Sequence, residues 1–194
     1  MICGVDEAGR GPLAGAVYAA AVVLPEPIGL QGLDDSKRLR PAQRARLDRE
    51  IRASSPAFAV ACCSVEEIEQ LNILQASLLA MRRAVESVHL QLLSRQAALS
   101  LALIDGNQVP RELPCEARCI VGGDALEPAI AAASILAKVA RDQEMERLAL
   151  AWPGYGFERH KGYGTVAHLE ALKRLGPSPV HRRGFAPVRD LLAQ

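Results

Sequence analysis

Four carboxylates in this 194-residue chain stand where short apolar runs end. Asp6 and Glu7 follow ICGV, Asp105 follows LALI, and Asp124 lies just past ARCIV and two glycines. Singly, each has an ordinary reading: Asp105-Gly106-Asn107 makes a turn, and Asp124 caps the helix after it. Gathered on one sheet edge, the four would repel one another and some would hold protons at neutral pH. A divalent cation resolves that conflict. Magnesium is a hard ion that takes a few carboxylates together with water and phosphate oxygens. Two such ions, about 3.5–4 Å apart, activate a water and stabilise the leaving oxygen in phosphodiester cleavage.

The stretch VDEAGRGPLAG (residues 5–15) adds detail. Neighbours on a regular strand point to opposite faces, so Asp6 and Glu7 share a site only if the chain bends there. Ala8-Gly9-Arg10-Gly11-Pro12 supplies the bend. Its glycines allow a sugar or phosphate to approach main-chain N–H groups, and Arg10 has the forked donor that suits a phosphate. The alternative for this segment is a tight turn with a solvent-facing arginine.

The net charge of +1 hides an uneven distribution. Between Arg159 and Arg189 lie seven lysines and arginines against one acid, Glu170, interleaved with glycines, histidines and Tyr163. That excess of one sign points to a phosphate-bearing partner. His160, His168 and His181 show no metal-ligand spacing and are assigned to surface or phosphate-facing positions. Five cysteines, two of them adjacent, do not make a disulfide framework, and Cys115-x3-Cys119 has no second ligand pair for zinc. Neither a P-loop nor a G-x-S-x-G elbow is present. With no long apolar span and no leader read at the start, the expectation is a cytoplasmic protein.

These residues need elements to hold them. Residues 1–7 and about 15–24 read as strands joined by a turn short enough for an antiparallel pair, and FAVACCSV completes a three-strand meander. Pro41 opens a helix to about Ala53. From Val65 the spacing of Ile68, Leu71, Leu74, Leu78, Met81, Val85 and Val88 predicts one long amphipathic helix. LALID and ARCIV are further strands, and Pro128 opens an alanine-rich helix suited to close packing on a sheet. A shorter helix covers about 165–175. The order predicts an α/β fold with one mixed sheet, meander plus parallel strands, flanked by helices and followed by a helical C-terminal region. We expect one domain over 1–194, with about 151–194 as its basic substrate-binding region.

In order and spacing, DEAGRGPLAG, DDSKRL, LIDGN, GGD with AAASILAKVARD, HKGYGT and GPSPVHRRGF make the chain resemble bacterial ribonuclease HII, from Ile2 to about Phe185. The resemblance implies an RNase H-like fold and hydrolysis of RNA in RNA–DNA hybrids, leaving 5′-phosphate and 3′-hydroxyl ends. It also implies incision at single ribonucleotides in duplex DNA. By motif, Asp6, Glu7, Asp105 and Asp124 become catalytic metal ligands for Mg2+ or Mn2+, with Asp6 bridging two ions. Gly9, Arg10 and Gly11 then meet the ribose 2′-hydroxyl and its phosphates, and Tyr163 packs on the deoxyribose beyond. Ser36 and Lys37 belong to a phosphate-contacting loop, while Arg182 and Arg183 grip backbone phosphates. Arg40, Ala140 and Gly184 depart from the family pattern, and Arg40 leaves its helix without a side-chain cap. A monomer is expected, and the ending VRDLLAQ carries no recognised peptide for a replication clamp or polymerase. A same-fold nuclease for another substrate and a non-catalytic hybrid-binding module are the competing readings.

Overall fold

In the computed structural model, residues 1–34 and 36–193 are described; Asp35 of the DDSKRL motif and Gln194 lie outside them. β1 (Ile2–Ala8), β2 (Val17–Val23) and β3 (Ala57–Cys63) form the antiparallel meander. β4 (Leu101–Asp105) and β5 (Glu116–Ile120) continue the sheet in parallel from the other edge of β1, giving the order β3-β2-β1-β4-β5. The mixed α/β sheet expected from the sequence is the one observed.

Strand period decides which helix each face receives. Ala19 and Ala21 of β2 face a core completed by Ala80, Ala84, Val85 and Val88 of α3 (Ile73–Leu93). Ala20 and Val22 face the opposite way, against Ala133, Leu136 and Ala137 of α5 (Pro128–Ala151), with Leu47 and Ile51 of α1 (Pro41–Ser54) beside them. Small residues let α5 come close. A Cβ on Gly4 of β1 would stand 2.1 Å from the backbone of Ala129, so only glycine admits the start of α5 at this distance.

One expectation needs correction and another needs an addition. The helix starting at Val65 is two: α2 (Val65–Leu71) ends at Asn72, and α3 begins after it. Asn72 takes a positive φ of 69°, and its Oδ1 accepts from the N–H groups of Leu74 and Gln75 at 3.0 and 3.1 Å. Asparagine tolerates that backbone and caps the new helix, while the apolar spacing runs through the break unchanged. At α1, Arg40 indeed offers no acceptor, but its N–H donates to Gln43 Oε1 at 3.0 Å, so the first turn is capped from within.

The short α4 (Gly123–Leu126) leads into α5, and α6 (Phe157–His160), α7 (Val166–Leu175) and α8 (Ala186–Leu192) form the C-terminal region. Its core of Tyr155, Phe157, Leu172 and Val188 is shared with Met145 and Leu148 of α5 and with Leu13 and Ala14 of the β1–β2 turn. The basic region is thereby tied to the turn that follows the first two acids. Among the described residues, no helix is long and apolar enough to cross a membrane.

Candidate active site

β1 and β4 lie side by side in parallel up to the pair Val5–Ile104, and Asp6 and Asp105 are the next residue on each. Glu7 follows Asp6 while β1 still pairs with β2, through Glu7–Ala19 and Ala8–Tyr18. The expected bend therefore comes after the acids, at Gly9. The reach of the side chains, not an interruption of the ladder, brings one carboxylate oxygen each of Asp6, Glu7 and Asp105 within 4.8 Å of one another.

Asp124 stands outside this triplet. It is joined to it through α4: the N–H of neighbouring Gly123 donates to Asp105 Oδ1 at 2.7 Å, and Asp124 Oδ2 meets Lys37 Nζ at 3.5 Å. Asp6 is only 4% exposed. Burial first, then the charges of Glu7 and Asp105, push its pKa well above the usual carboxylate range, opposed by hydrogen bonds from Glu7 N–H and Ser134. Three hard oxygen donors, one pushed towards its protonated form by burial and by the other two, fit a divalent cation by their chemistry.

A cleft of about 210 Å3 opens over the acids. Gly9, Arg10 and Gly11, Ser36, Lys37 and Tyr163 all line it, and Asp124, Arg182 and Arg183 do not. Arg10 reaches back to Glu7 at 3.2 Å. Ser36 is turned inward, its hydroxyl 2.7 Å from that of Ser134, which leaves Lys37 as the outward member of its loop. A wider groove, about 700 Å3, lies in the C-terminal region with Arg159 and Arg174 on it; its one acid, Glu170, makes it no competitor for metal chemistry.

Arg182 corrects an expectation. It does not face phosphate: it is fully buried, and its guanidinium donates to the main-chain carbonyls of Gly9, Arg10, Pro12, Gly15 and Ala16 at 2.7–3.3 Å. Burying a cation without such partners would be prohibitive. Burial and nearby Arg141 lower its pKa to about 9, which leaves it charged at neutral pH. Arg183 remains exposed at the surface, with its N–H on Glu69 at 3.0 Å.

The sequence model of ribonuclease HII matches residues 3–188. A curated ribonuclease HII from Bordetella avium is 56% identical over 188 residues, 97% of this chain and 89% of that protein. One from Halorhodospira halophila is 56% identical over 191 residues, 98% and 94% of the two chains. The chain belongs to the ribonuclease HII family. It is an endoribonuclease of the RNase H type. Among solved structures, the ribonuclease H2 of Pyrococcus horikoshii superposes with a TM-score of 0.78 at 26% identity, covering 98% of this chain and 96% of that one. A PCNA:RNase HII complex from Archaeoglobus fulgidus gives 0.71 at 27% identity, covering 94% and 93%. The Mn2+ complex of Bst-RNase HIII, at 22% identity and 0.78, covering 99% of this chain and 69% of that one, shares the fold.

Tyr163 of this ribonuclease HII chain stands half-exposed on the cleft rim, and the histidines behind it are a second correction. His168 and His181 are buried. Ser178 N–H donates to His181 Nδ1, so His181 Nε2–H donates to His168 Nε2 at 3.0 Å, and His168 Nδ1–H donates to the carbonyl of Tyr163 at 2.9 Å. Burial, then His168, lowers the His181 pKa to about 4. These are neutral struts under the Tyr163 loop, not phosphate contacts.

Sequence reasoning missed three cleft residues on α5: Ser134, Lys138 and Arg141. Their i, i+4, i+7 spacing, one polar stripe on the otherwise apolar stretch 128–141 of the helix, was the available signal.

Proposed function

We propose that this enzyme cleaves the RNA strand of RNA–DNA hybrids and incises duplex DNA at single embedded ribonucleotides, using Mg2+ or Mn2+. The observation that carries this reading is the convergence of Asp6, Glu7 and Asp105 beside the Gly9–Gly11 turn in one cleft. Asp6, Glu7 and Asp105 would hold the ions, with Asp124 as fourth carboxylate, and bound ions supply an activated water and charge stabilisation at the leaving 3′-oxygen.

The chain's own groups do the rest. Gly9 lets the turn lie flat under a sugar, where main-chain donors discriminate a 2′-hydroxyl from its absence. Arg10 and Lys37, 3.2 and 3.5 Å from acids of the site, are placed to take phosphates arriving there. Tyr163 lines the cleft beside Gly11, an aromatic ring suited to the sugar beyond the ribonucleotide. Arg183 extends the basic surface. The five unpaired cysteines suit a reducing, cytoplasmic setting. We further read residues 1–194 as one catalytic domain acting as a monomer.

The test is cleavage of a labelled DNA duplex holding one ribonucleotide, with Mg2+ or Mn2+, against an all-DNA duplex. A single cut 5′ to the ribonucleotide, absent from the all-DNA control, is expected. Tight binding without cleavage under either ion would leave a hybrid-binding module; cutting of the control would leave a general nuclease.

A further inference from the structure

Two arginines lie under the Gly9–Gly11 turn, and among the described residues neither is hydrogen-bonded to or ion-paired with a carboxylate. Arg182 comes from the far end of the chain, Arg141 from α5. Arg141 is 1% exposed; its Nη atoms donate to the carbonyls of Lys161 and Ala14 at 2.9 and 3.2 Å, while its Nε has no partner among the described residues. That Nε lies directly beneath Gly9, where an added Cβ would stand 2.0 Å away.

Peptide geometry turns these contacts into a statement about donors. In a trans peptide the N–H points opposite to the preceding C=O. The carbonyls of Gly9 and Arg10 both point at Arg182, at 2.7 and 3.0 Å. The N–H groups of Arg10 and Gly11 must therefore point away from it. Gly9, Arg10 and Gly11 line the cleft and Arg182 does not. Neither N–H finds an acceptor among the described residues, whereas Leu13 N–H, two residues on, is taken by Gly162 O at 2.8 Å. Consecutive carbonyls turned to one side leave consecutive amides on the other, the arrangement of an anion- or oxygen-binding nest.

We propose that Arg182 is the positioning residue for ribonucleotide recognition: by holding the Gly9 and Arg10 carbonyls, it fixes the Arg10 and Gly11 amides as a pair of donors facing the substrate sugar and phosphate. It touches no substrate. Five acceptors on one planar group also explain why lysine is no substitute, because an ammonium offers three donors without the fixed fork. The inference rests on the functional reading above and adds to it the group that sets the sensor's orientation.

The test compares binding of a single-ribonucleotide duplex and an all-DNA duplex without added metal, for the parent, R182K and R10A. R182K keeps the buried charge and loses the fork. A folded R182K, checked by thermal melting, is expected to bind all-DNA within about twofold of the parent while its preference for the ribonucleotide falls about tenfold, as expected from misplacing amide donors. R10A is a surface change; it should weaken both duplexes together and keep the preference. A merely structural Arg182 would lower stability and both affinities without changing their ratio. Should R182K not fold, amide exchange in the parent decides. The Arg10 and Gly11 amides should be protected by the ribonucleotide duplex and not by all-DNA, and equal protection overturns the proposal. A parent without any preference overturns the functional reading as well, whereas preference retained in folded R182K, or lost in R10A alone, overturns this inference only.

Discussion

Asp6→Asn is the substitution whose effect follows most directly from the geometry. Asparagine keeps the shape and an Oδ1 that still accepts from Glu7 N–H, now 2.7 Å away. What changes is charge. Asp6 faces Glu7 and Asp105 with oxygens no more than 4.8 Å apart, and each such pair repels by about 3 kcal/mol at an effective dielectric constant near 20. The parent escapes part of this because the raised pKa of Asp6 favours its protonated form. The gain from D6N should therefore be less than the sum of two pairs: about 2 kcal/mol, or about 4–8 °C in Tm for a chain of this size. Sign and pH window follow from the same shift. A carboxyl with a raised folded-state pKa contributes stability that is lost as pH rises through that pKa, so the advantage of D6N should be smallest in the ordinary carboxylate range and grow as pH rises from it. Adding Mn2+ or Mg2+ should reverse the order, since ion at 100 times its Kd stabilises the parent by about 2.7 kcal/mol and should do little for D6N. Thermal melts of both proteins in chelator and in each ion, at pH 5, 7 and 8.5, with cleavage assayed in parallel, measure all of this. The reasoning fails if D6N in chelator melts at or below the parent at every pH, or if the ions stabilise both proteins equally.

Three further outcomes follow. Gly9→Ala places a Cβ at φ 96° and against Arg141, so it should lower Tm by several degrees and cleavage by more than about 100-fold, whereas Gly11→Ala, with its nearest new contact an ordinary 3.5 Å to Tyr163, should leave Tm within about 2 °C; equal melts for the two would refute the steric account. His181 is buried neutral with a pKa of about 4, below the ordinary 6.5, so it contributes stability above pH 6.5 that is lost as pH falls towards 4; His181→Gln should flatten that acid limb of the Tm profile, and an unchanged slope would count against it. Lys37→Ala removes a largely exposed cation from Asp124; stability should move by less than about 0.5 kcal/mol while the salt dependence of duplex binding loses about one unit of slope, both measurable by melting and by titration across salt.

Much of this was legible in the residues. Acids at the ends of ICGV and LALI are local features, and their convergence follows from any layered sheet that runs those strands together, whereas Asp124 past ARCIV stays outside the triplet. The Gly-Arg-Gly turn was legible because glycine has few other reasons to flank an arginine directly after two acids. The break at Asn72 was not, because apolar spacing on either side continues one face and the single residue that changes the backbone is polar and unremarkable in composition. Arg182 and the buried histidines were misplaced for a different reason. Charged and polar side chains are by default exposed, and what overrides the default here is a set of carbonyls from residues 9–16, more than 160 positions away from Arg182 in the chain. Such partners leave no local pattern.

Among the described residues no carboxylate pairs with either buried arginine, which follows from the same site. An acid would be the usual neutraliser of a buried guanidinium, but placed here it would join the charge of Asp6, Glu7 and Asp105 and compete for Arg10 and Lys37. Main-chain carbonyls satisfy the donors of Arg182 while leaving its charge intact. Arg141, its Nε without a partner among the described residues and its side chain on the cleft wall, does the same. In a low-dielectric interior those two charges act on the cleft with little screening. They offset part of the repulsion that three carboxylates present to an incoming polyanion, and they do so from beneath the turn, where they occupy none of the surface that the sugar and phosphates need.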